Sequence, residues 1–181
     1  MSGSGLPKRK NIRLPDYDYS SNDAYFVTIC TKDREPLLGE IVARVAEGDG
    51  FYGGPVGYGT PTIVLSPNGQ IVDRYINNIN VKYWNITVPI YCIMPNHIHL
   101  IVVIGGENAK ASKESGSPRA ATPTVPKIIN SLKSLATKEA GQPLWQRGYY
   151  EHIIRGEQDY CDIWKYIETN PPKWAEDQYY L

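Results

Sequence analysis

The run His97-Ile98-His99-Leu100-Ile101-Val102-Val103-Ile104 constrains the fold more than any other segment of this chain. It is rich in β-branched residues and apolar on both of its faces, so it reads as a strand covered on both sides, at the centre of a sheet. The two-residue period of a strand divides it. His97, His99, Ile101 and Val103 share one face, and Ile98, Leu100, Val102 and Ile104 share the other. The chain has three histidines, and two of them lie here on one side of one strand. That spacing lets both imidazoles reach a single metal ion.

The flanking segments supply the partners such a strand needs. Ala24 to Thr31 is β-branched and aromatic and predicts a first strand. Gly48 to Thr60 is dense in glycine and predicts a loop or loose hairpin insertion. Ser66 is a candidate N-cap with Pro67 at the first helical position, and Ile71, Val72, Tyr75, Ile76 and Ile79 keep helical spacing, predicting a helix over 67–82. Ile86 to Met94 predicts a second strand, interrupted by Pro89 and therefore suited to an edge. Pro95-Asn96 forms the turn into the histidine strand. After a flexible linker over 105–122, Val125-Pro126 opens a second helix that ends before Gly141. A fourth strand is expected over 149–155, and a last helix over 157–170, stopped by Pro171-Pro172.

The order β-α-β-β-α-β plus a terminal helix is the split βαβ, ferredoxin-like pattern of an α+β domain with an antiparallel sheet. Both crossover helices cover one face and leave the other open. If Ile98, Leu100, Val102 and Ile104 pack on the helices, the histidines lie on the open face. The last helix is then free to cover them, and its Tyr166 and Asn170, spaced i and i+4, share a side.

At 181 residues the chain fits a single domain, 1–181, with a flexible basic start over 1–13. No apolar run approaches the ~18 residues that span a bilayer, and the N-terminus lacks the apolar segment of a secretory leader. Cys30, Cys92 and Cys161 are odd in number, widely spaced and without metal-type pairing, which suits a reducing cytoplasm. A cytoplasmic location away from membranes is the expectation. The charges balance, with 19 basic and 19 acidic residues, which argues against a protein that coats nucleic acid. The distribution is less even: Lys8, Arg9, Lys10 and Arg13 precede any acid, and Lys127, Lys133 and Lys138 recur along one predicted helix. A solvated tail and a solvated face are the competing readings. The 14 tyrosines can stack on unpaired bases or sit at the edge of the core.

Two neutral imidazoles suit several divalent metals, and an amide oxygen from Asn170 adds a harder third ligand. Three protein ligands leave room for substrate oxygens, so the metal can polarise a phosphodiester. Tyr166 is then a candidate nucleophile, and a phosphotyrosine keeps the energy of the broken bond, so the step can be reversed onto another 3′-hydroxyl. Blander readings stand beside each residue. A same-face histidine pair can be structural, a tyrosine on an amphipathic helix is commonly core, and Asn170 before Pro171 can be a helix cap. Asp162, one turn before Tyr166, is a further ligand or a surface acid. His152 contacts DNA or fills space.

Five blocks carry a resemblance over roughly residues 9–171. They are Ile12 to Tyr19, Tyr25 to Arg34, Met94-Pro95-Asn96-His97-Ile98-His99, Leu144 to His152, and Tyr166-Ile167-Glu168-Thr169-Asn170-Pro171. Together they resemble the one-tyrosine His-hydrophobe-His (HUH) transposases, most of all the REP-associated tyrosine transposases. The resemblance implies a metal-dependent enzyme that nicks and rejoins single-stranded DNA near hairpins through a 5′-phosphotyrosine. It implies His97 and His99 as metal ligands, Tyr166 as nucleophile, and Mg2+ or Mn2+ as the cation. Insertion-sequence members use a glutamine one turn after the tyrosine, and Asn170 stands there, as is similar in the REP-associated branch. The relatives act as monomers or as homodimers. Lys10, Arg13, Lys133, Arg147 and Arg155 are the expected DNA contacts, from residue type and predicted position. The rival readings are a non-catalytic module that binds nucleic-acid hairpins, a metal-dependent hydrolase of a small molecule, and a replication- or relaxase-type nicking enzyme.

Overall fold

The computed structural model describes residues 23–45, 58–105 and 123–176. The expected basic start, most of the expected linker and the middle of the glycine-dense insertion lie outside the described residues. Among the described residues, seven strands and three α-helices follow in order. They are β1 (Ala24–Cys30), β2 (Gly39–Val45), β3 (Tyr58–Leu65), α1 (Pro67–Lys82), β4 (Ile86–Thr87), β5 (Tyr91–Met94), β6 (His97–Ile104), α2 (Val125–Ala140), β7 (Tyr150–Ile154) and α3 (Gly156–Glu168). Short 3-10 turns cover Lys32–Arg34 and Pro171–Glu176.

The histidine strand β6 is central, as its two apolar faces require. It pairs with β1 on one side and with β4 and β5 on the other, and β7 lies beyond β1, all antiparallel. This is the split βαβ arrangement, with β4 and β5 together forming the expected second strand. Pro89 divides them. It has no N–H for the ladder, and the neighbouring Val88 N–H turns aside to the Asn80 side chain of α1 at 2.7 Å. The ladder resumes when Ile101 N–H donates to the Ile90 carbonyl.

Side-chain alternation sorts the core into two layers. Tyr25, Val27 and Ile29 of β1 and Ile98, Leu100, Val102 and Ile104 of β6 pack against α1 and α2 through residues such as Val72, Ile76, Ile128 and Leu132. The opposite face holds Ile101, Met94, Cys92 and Ile154, covered by Ile167 and the half-buried Ile163 and Trp164 of α3. The last helix therefore roofs the face that the crossover helices leave open. It ends at Glu168, two residues earlier than the spacing predicts, so Asn170 stands in the turn beyond it.

The expected insertion is a two-stranded hairpin, β2 with β3, that begins earlier and ends later than the glycine-dense stretch. Gly39 opening β2 and Gly59 and Pro61 within β3 hide them from a reading by β-propensity. The hairpin is stitched to α1. Ser66 caps the helix by accepting from Gly69 N–H at 3.1 Å and donates to the Leu37 carbonyl at 2.7 Å. Gly69 is required by a close approach, because a Cβ there would lie 2.0 Å from the Leu38 carbonyl oxygen. Leu38 N–H in turn donates to the Pro95 carbonyl at 2.9 Å, in the turn that leads into His97. Among the described residues, no helix is long and apolar enough to cross a membrane.

Candidate active site

The turn before β6 is clamped from several directions. Thr31 donates to the Asn96 carbonyl through both its N–H and its hydroxyl, each at 2.9 Å, and Leu38 N–H donates to the Pro95 carbonyl at 2.9 Å. His97 and His99 leave this turn fully buried, at 0% and 1% exposure. Their Nε2 atoms face one another at 2.9 Å. Their Nδ1 atoms point away to fixed partners: His97 Nδ1 lies 2.8 Å from Asn96 Oδ1, and His99 Nδ1 lies 2.8 Å from Thr28 Oγ1. Thr28 is placed by strand register, since β1 pairs Thr28 directly with His99. Phe26, two residues along, stacks on His99 with ring centroids 5.3 Å apart.

Helix α3 brings Tyr166 to this pair. Its hydroxyl lies 3.2 Å from His99 Nε2, and its ring meets Phe26 edge-on at 6.0 Å. The tyrosine remains 38% exposed, so it is open to solvent on one side and to an imidazole on the other. The helix is held over the sheet by apolar contacts and by a polar clip. Asp159 accepts from His152 Nε2 of β7 at 2.9 Å and from Arg155 N–H at 2.8 Å. The carboxyl of Asp159 is held below the usual aspartate range, first by that backbone N–H and then by His152. His152 is thus a fastener between strand and helix. Gly156, at φ 85°, supplies the left-handed residue that turns β7 into α3.

Burial, and secondarily the neighbouring His97, holds the His99 pKa well below the ordinary imidazole range. A neutral imidazole is the form that ligates metals. A separation of 2.9 Å between the two Nε2 atoms matches neighbouring corners of an octahedron with ligand distances of about 2.1 Å, which lie about 3 Å apart. Both rings are oriented through the nitrogen that a cation would not use, the arrangement found behind metal-binding histidines. Asn170 is buried at 3% exposure, and among the described residues its Nδ2 has no hydrogen-bond partner. The two ends of an amide are assigned from their surroundings, so an unpartnered buried amide suits a group that completes its bonds with something from outside. Among the described residues, no cluster of three His, Cys, Asp or Glu side chains could hold a metal. A cation held by the imidazole pair would therefore need its further ligands from substrate oxygens or from an amide such as that of Asn170.

The remaining expected residues are spread more widely. Arg147 and Arg155 are exposed, at the loop before β7 and at the start of α3. Lys133 is turned to structural use: its ammonium donates to the Gln146 and Gly148 carbonyls at 2.8 and 2.7 Å, and burial lowers its pKa. Lys10 and Arg13 lie outside the described residues. Asp162 is exposed and accepts from Gln158 on the outer side of α3. Asn96, Thr28, Phe26 and Trp174, whose ring lies 5.9 Å from that of His97, were not marked as site residues by spacing. The two-residue strand period, applied to β1 as well as β6, points to Phe26 and Thr28. Asn96 lies inside the block that carries the resemblance.

A solved REP-associated tyrosine transposase bound to a REP hairpin superposes with a TM-score of 0.57 at 17% identity, over 92% of this chain and 76% of its own. At that identity the likeness shows a shared fold. A Haemophilus influenzae protein without an assigned function is 32% identical over 190 residues, spanning 98% of this chain and 96% of its own length. A second protein from that organism, assigned by name to the REP-associated tyrosine transposases, is 30% identical over 121 residues, 62% of this chain and 68% of its own length. No protein-family model matches. The chain belongs to the REP-associated tyrosine transposase family.

Proposed function

We propose that this protein nicks and rejoins single-stranded DNA beside hairpins, with Tyr166 as nucleophile and His97 and His99, joined by Asn170, as the holders of Mg2+ or Mn2+. One observation carries the reading: a helix-borne, half-exposed tyrosine hydroxyl 3.2 Å from one of two buried imidazoles whose Nε2 atoms converge at 2.9 Å. The bound cation would act as a Lewis acid on the scissile phosphate.

The chain's own residues do the rest. Tyr166 Oη attacks phosphorus, and the bond to the 3′-oxygen breaks. A 5′-phosphotyrosine forms, and the departing 3′-oxygen gains the proton that the phenol loses. No oxidant or further reactant enters. Attack by a 3′-hydroxyl on the phosphotyrosine runs the same step backwards and joins strands. Asn96 and Thr28 keep the two Nε2 atoms converging, and Phe26 braces both the His99 ring and the tyrosine. All of these groups meet within one chain, so a single chain can supply the whole site. Arg147, before β7, and Arg155, where β7 leads into α3, are exposed, and they are the proposed contacts for the DNA backbone.

The test is a denaturing gel of labelled hairpin DNA with single-stranded flanks, incubated with Mn2+ or Mg2+. Wild type is expected to give a slow-migrating covalent adduct and a free 3′-hydroxyl product, both absent from Tyr166→Phe. Cleavage that persists in Tyr166→Phe would overturn the tyrosine mechanism in favour of a water-using nuclease. Hairpin binding without cleavage in any metal would point to a binding module.

A further inference from the structure

Two clefts adjoin the imidazole pair, one beside His97 and one beside His99. The first is lined by Arg34, Asn96, Trp174 and Glu40. It adjoins His97, because Asn96 Oδ1 lies 2.8 Å from His97 Nδ1 and the Trp174 ring lies 5.9 Å from the His97 ring. The second is lined by Thr28, Arg147 and Tyr150. It adjoins His99 through Thr28 and, through Phe26, also reaches Tyr166, since the Phe26 ring lies 6.4 Å from Tyr150 and 6.0 Å from Tyr166. The first cleft pairs Arg34 with the Trp174 ring, and the second pairs Arg147 with the Tyr149 and Tyr150 rings, Tyr150 being the one linked through Phe26 to Tyr166.

The backbone at the first cleft is costly to hold. Asp33 and Arg34 are consecutive non-glycine residues at φ 52° and 59°, a left-handed conformation that residues with a Cβ rarely adopt. It is held by Arg34 N–H to the Thr31 carbonyl and Glu35 N–H to the Lys32 carbonyl. Such strain survives where the surroundings over-determine it, and it concentrates at binding sites. Here it brings Arg34 to the rim beside Trp174.

We propose that the two clefts clamp single-stranded DNA across the active site, each taking one unpaired nucleotide next to the attacked phosphate. One base lies against Trp174 and the other against Tyr150, with Arg34 and Arg147 on the neighbouring phosphates. The chemistry is that of general single-strand binding: every base has a face that stacks on an aromatic ring, and guanidinium suits phosphate. Glu40 repels phosphate but accepts hydrogen bonds, so the first cleft favours a base with an exocyclic amino group over thymine. The second cleft has no carboxylate in its lining and tolerates any base. The inference rests on the nicking reading above.

The test uses full-length Tyr166→Phe protein, so that binding is measured without cleavage, with the cut position mapped beforehand on wild type. Each nucleotide around the cut in a hairpin oligonucleotide is replaced in turn by an abasic unit, and affinity is read by fluorescence anisotropy. The two positions flanking the scissile phosphate should each weaken binding by about 5- to 150-fold, and more distant single-stranded positions less. Trp174→Ala should erase the penalty at one flank only, Tyr150→Ala at the other only, and Tyr150→Phe should keep it. Arg34→Gln and the surface change Arg147→Gln should each lower the salt dependence by about one phosphate contact. These changes leave the core intact and serve if Trp174→Ala fails to fold. Abasic penalties that are absent, or that persist unchanged in the aromatic variants, would overturn the clamp while adduct formation by wild type still upholds the nicking reading. Loss of the adduct as well would remove both.

Discussion

Thr28→Val should weaken cation binding while leaving the fold in place, and the argument comes from counting hydrogens. Asn96 Oδ1 can only accept, so His97 Nδ1, 2.8 Å away, carries a hydrogen and His97 Nε2 is a bare lone pair. His99 Nε2 faces that lone pair at 2.9 Å, so in the metal-free protein it must donate. His99 Nδ1 is then bare and accepts from the Thr28 hydroxyl at 2.8 Å. For His99 Nε2 to ligate a cation, its hydrogen must move to Nδ1, and Thr28 must switch from donor to acceptor. A hydroxyl can do both by rotation. Valine has the same shape and can do neither. In the metal-free variant a ring nitrogen loses a donor; in the loaded variant an N–H is orphaned in a site 1% exposed, and orphaned buried N–H groups are the less tolerated of the two. The loaded state therefore suffers more, and loss of an orienting partner behind a metal ligand typically costs 10–100-fold in affinity. Overall stability should fall by about 1–3 kcal/mol for the unmade buried bond. The assay is Mn2+ titration of DNA-free protein, followed by the EPR signal of free Mn2+, with urea unfolding alongside. Thr28→Ser, which keeps the hydroxyl, should bind as wild type does. Imidazole 15N shifts of the metal-free protein should show His99 protonated at Nε2 and His97 at Nδ1. Wild-type Mn2+ affinity in Thr28→Val, or a metal-free His99 protonated at Nδ1, would refute the reasoning.

Three further outcomes follow from the same structure. The His99 pKa is lowered in the fold, so below about pH 6.5 the unfolded chain takes up a proton that the native state refuses. Stability present above that pH should be lost as pH falls, with a slope approaching ~1.4 kcal/mol per unit relative to His99→Gln; equal urea midpoints for the two proteins from pH 7.5 to 5.5 would contradict this. Gly69→Ala should drive a methyl into the Leu38 carbonyl, 2.0 Å from the new Cβ, with an overpacking cost of about 1–3 kcal/mol. At this chain length that lowers Tm by about 2–12 °C in a thermal scan. Because Tyr166 and both histidines meet within one chain, a mixture of Tyr166→Phe and His97→Ala proteins should form no covalent adduct, and rescue on a gel would show that the helix is exchanged between copies.

The sequence disclosed the parts of the site that obey short-range rules and concealed those set by register. His97 and His99 stand out because one strand period places them on one face, and the bounds of α1, β6 and α2 agree with their caps, prolines and apolar spacing. Tyr166 was legible as a helix residue, and the order of elements implied that its helix would cover the histidines. The end of that helix was less so, since a proline stop sets only an outer limit and the helix unwinds two residues before it. Thr28 lies 71 residues from the imidazole it orients, and no pattern near Thr28 announces that partner. It follows only once β1 and β6 are paired and their alignment is known. The Asp159–His152 clip was hidden for a similar reason, because it forms only after β7 has turned through Gly156 and α3 has folded back over the sheet.

This division has a mechanical meaning. The imidazole pair belongs to a tightly constrained part of the molecule: a central strand buried on both faces, entered through a turn clamped by Thr31, just past β1, and by Leu38, just before β2. The tyrosine stands on a helix with one fully buried residue, Ile167, held by partly buried aromatics and an exposed polar clip. Local openings draw on the elements with the fewest buried contacts, so α3 should move before β6 does. A group that holds a cation gains from a rigid frame, whereas a nucleophile that carries one DNA end to another must be able to shift without dismantling the core. Breaking the clip with His152→Ala tests the point. Hydrogen exchange should quicken across 156–168 while the amides of β6 stay protected. If both regions quicken together, the tyrosine helix is part of the rigid core and this division of roles fails.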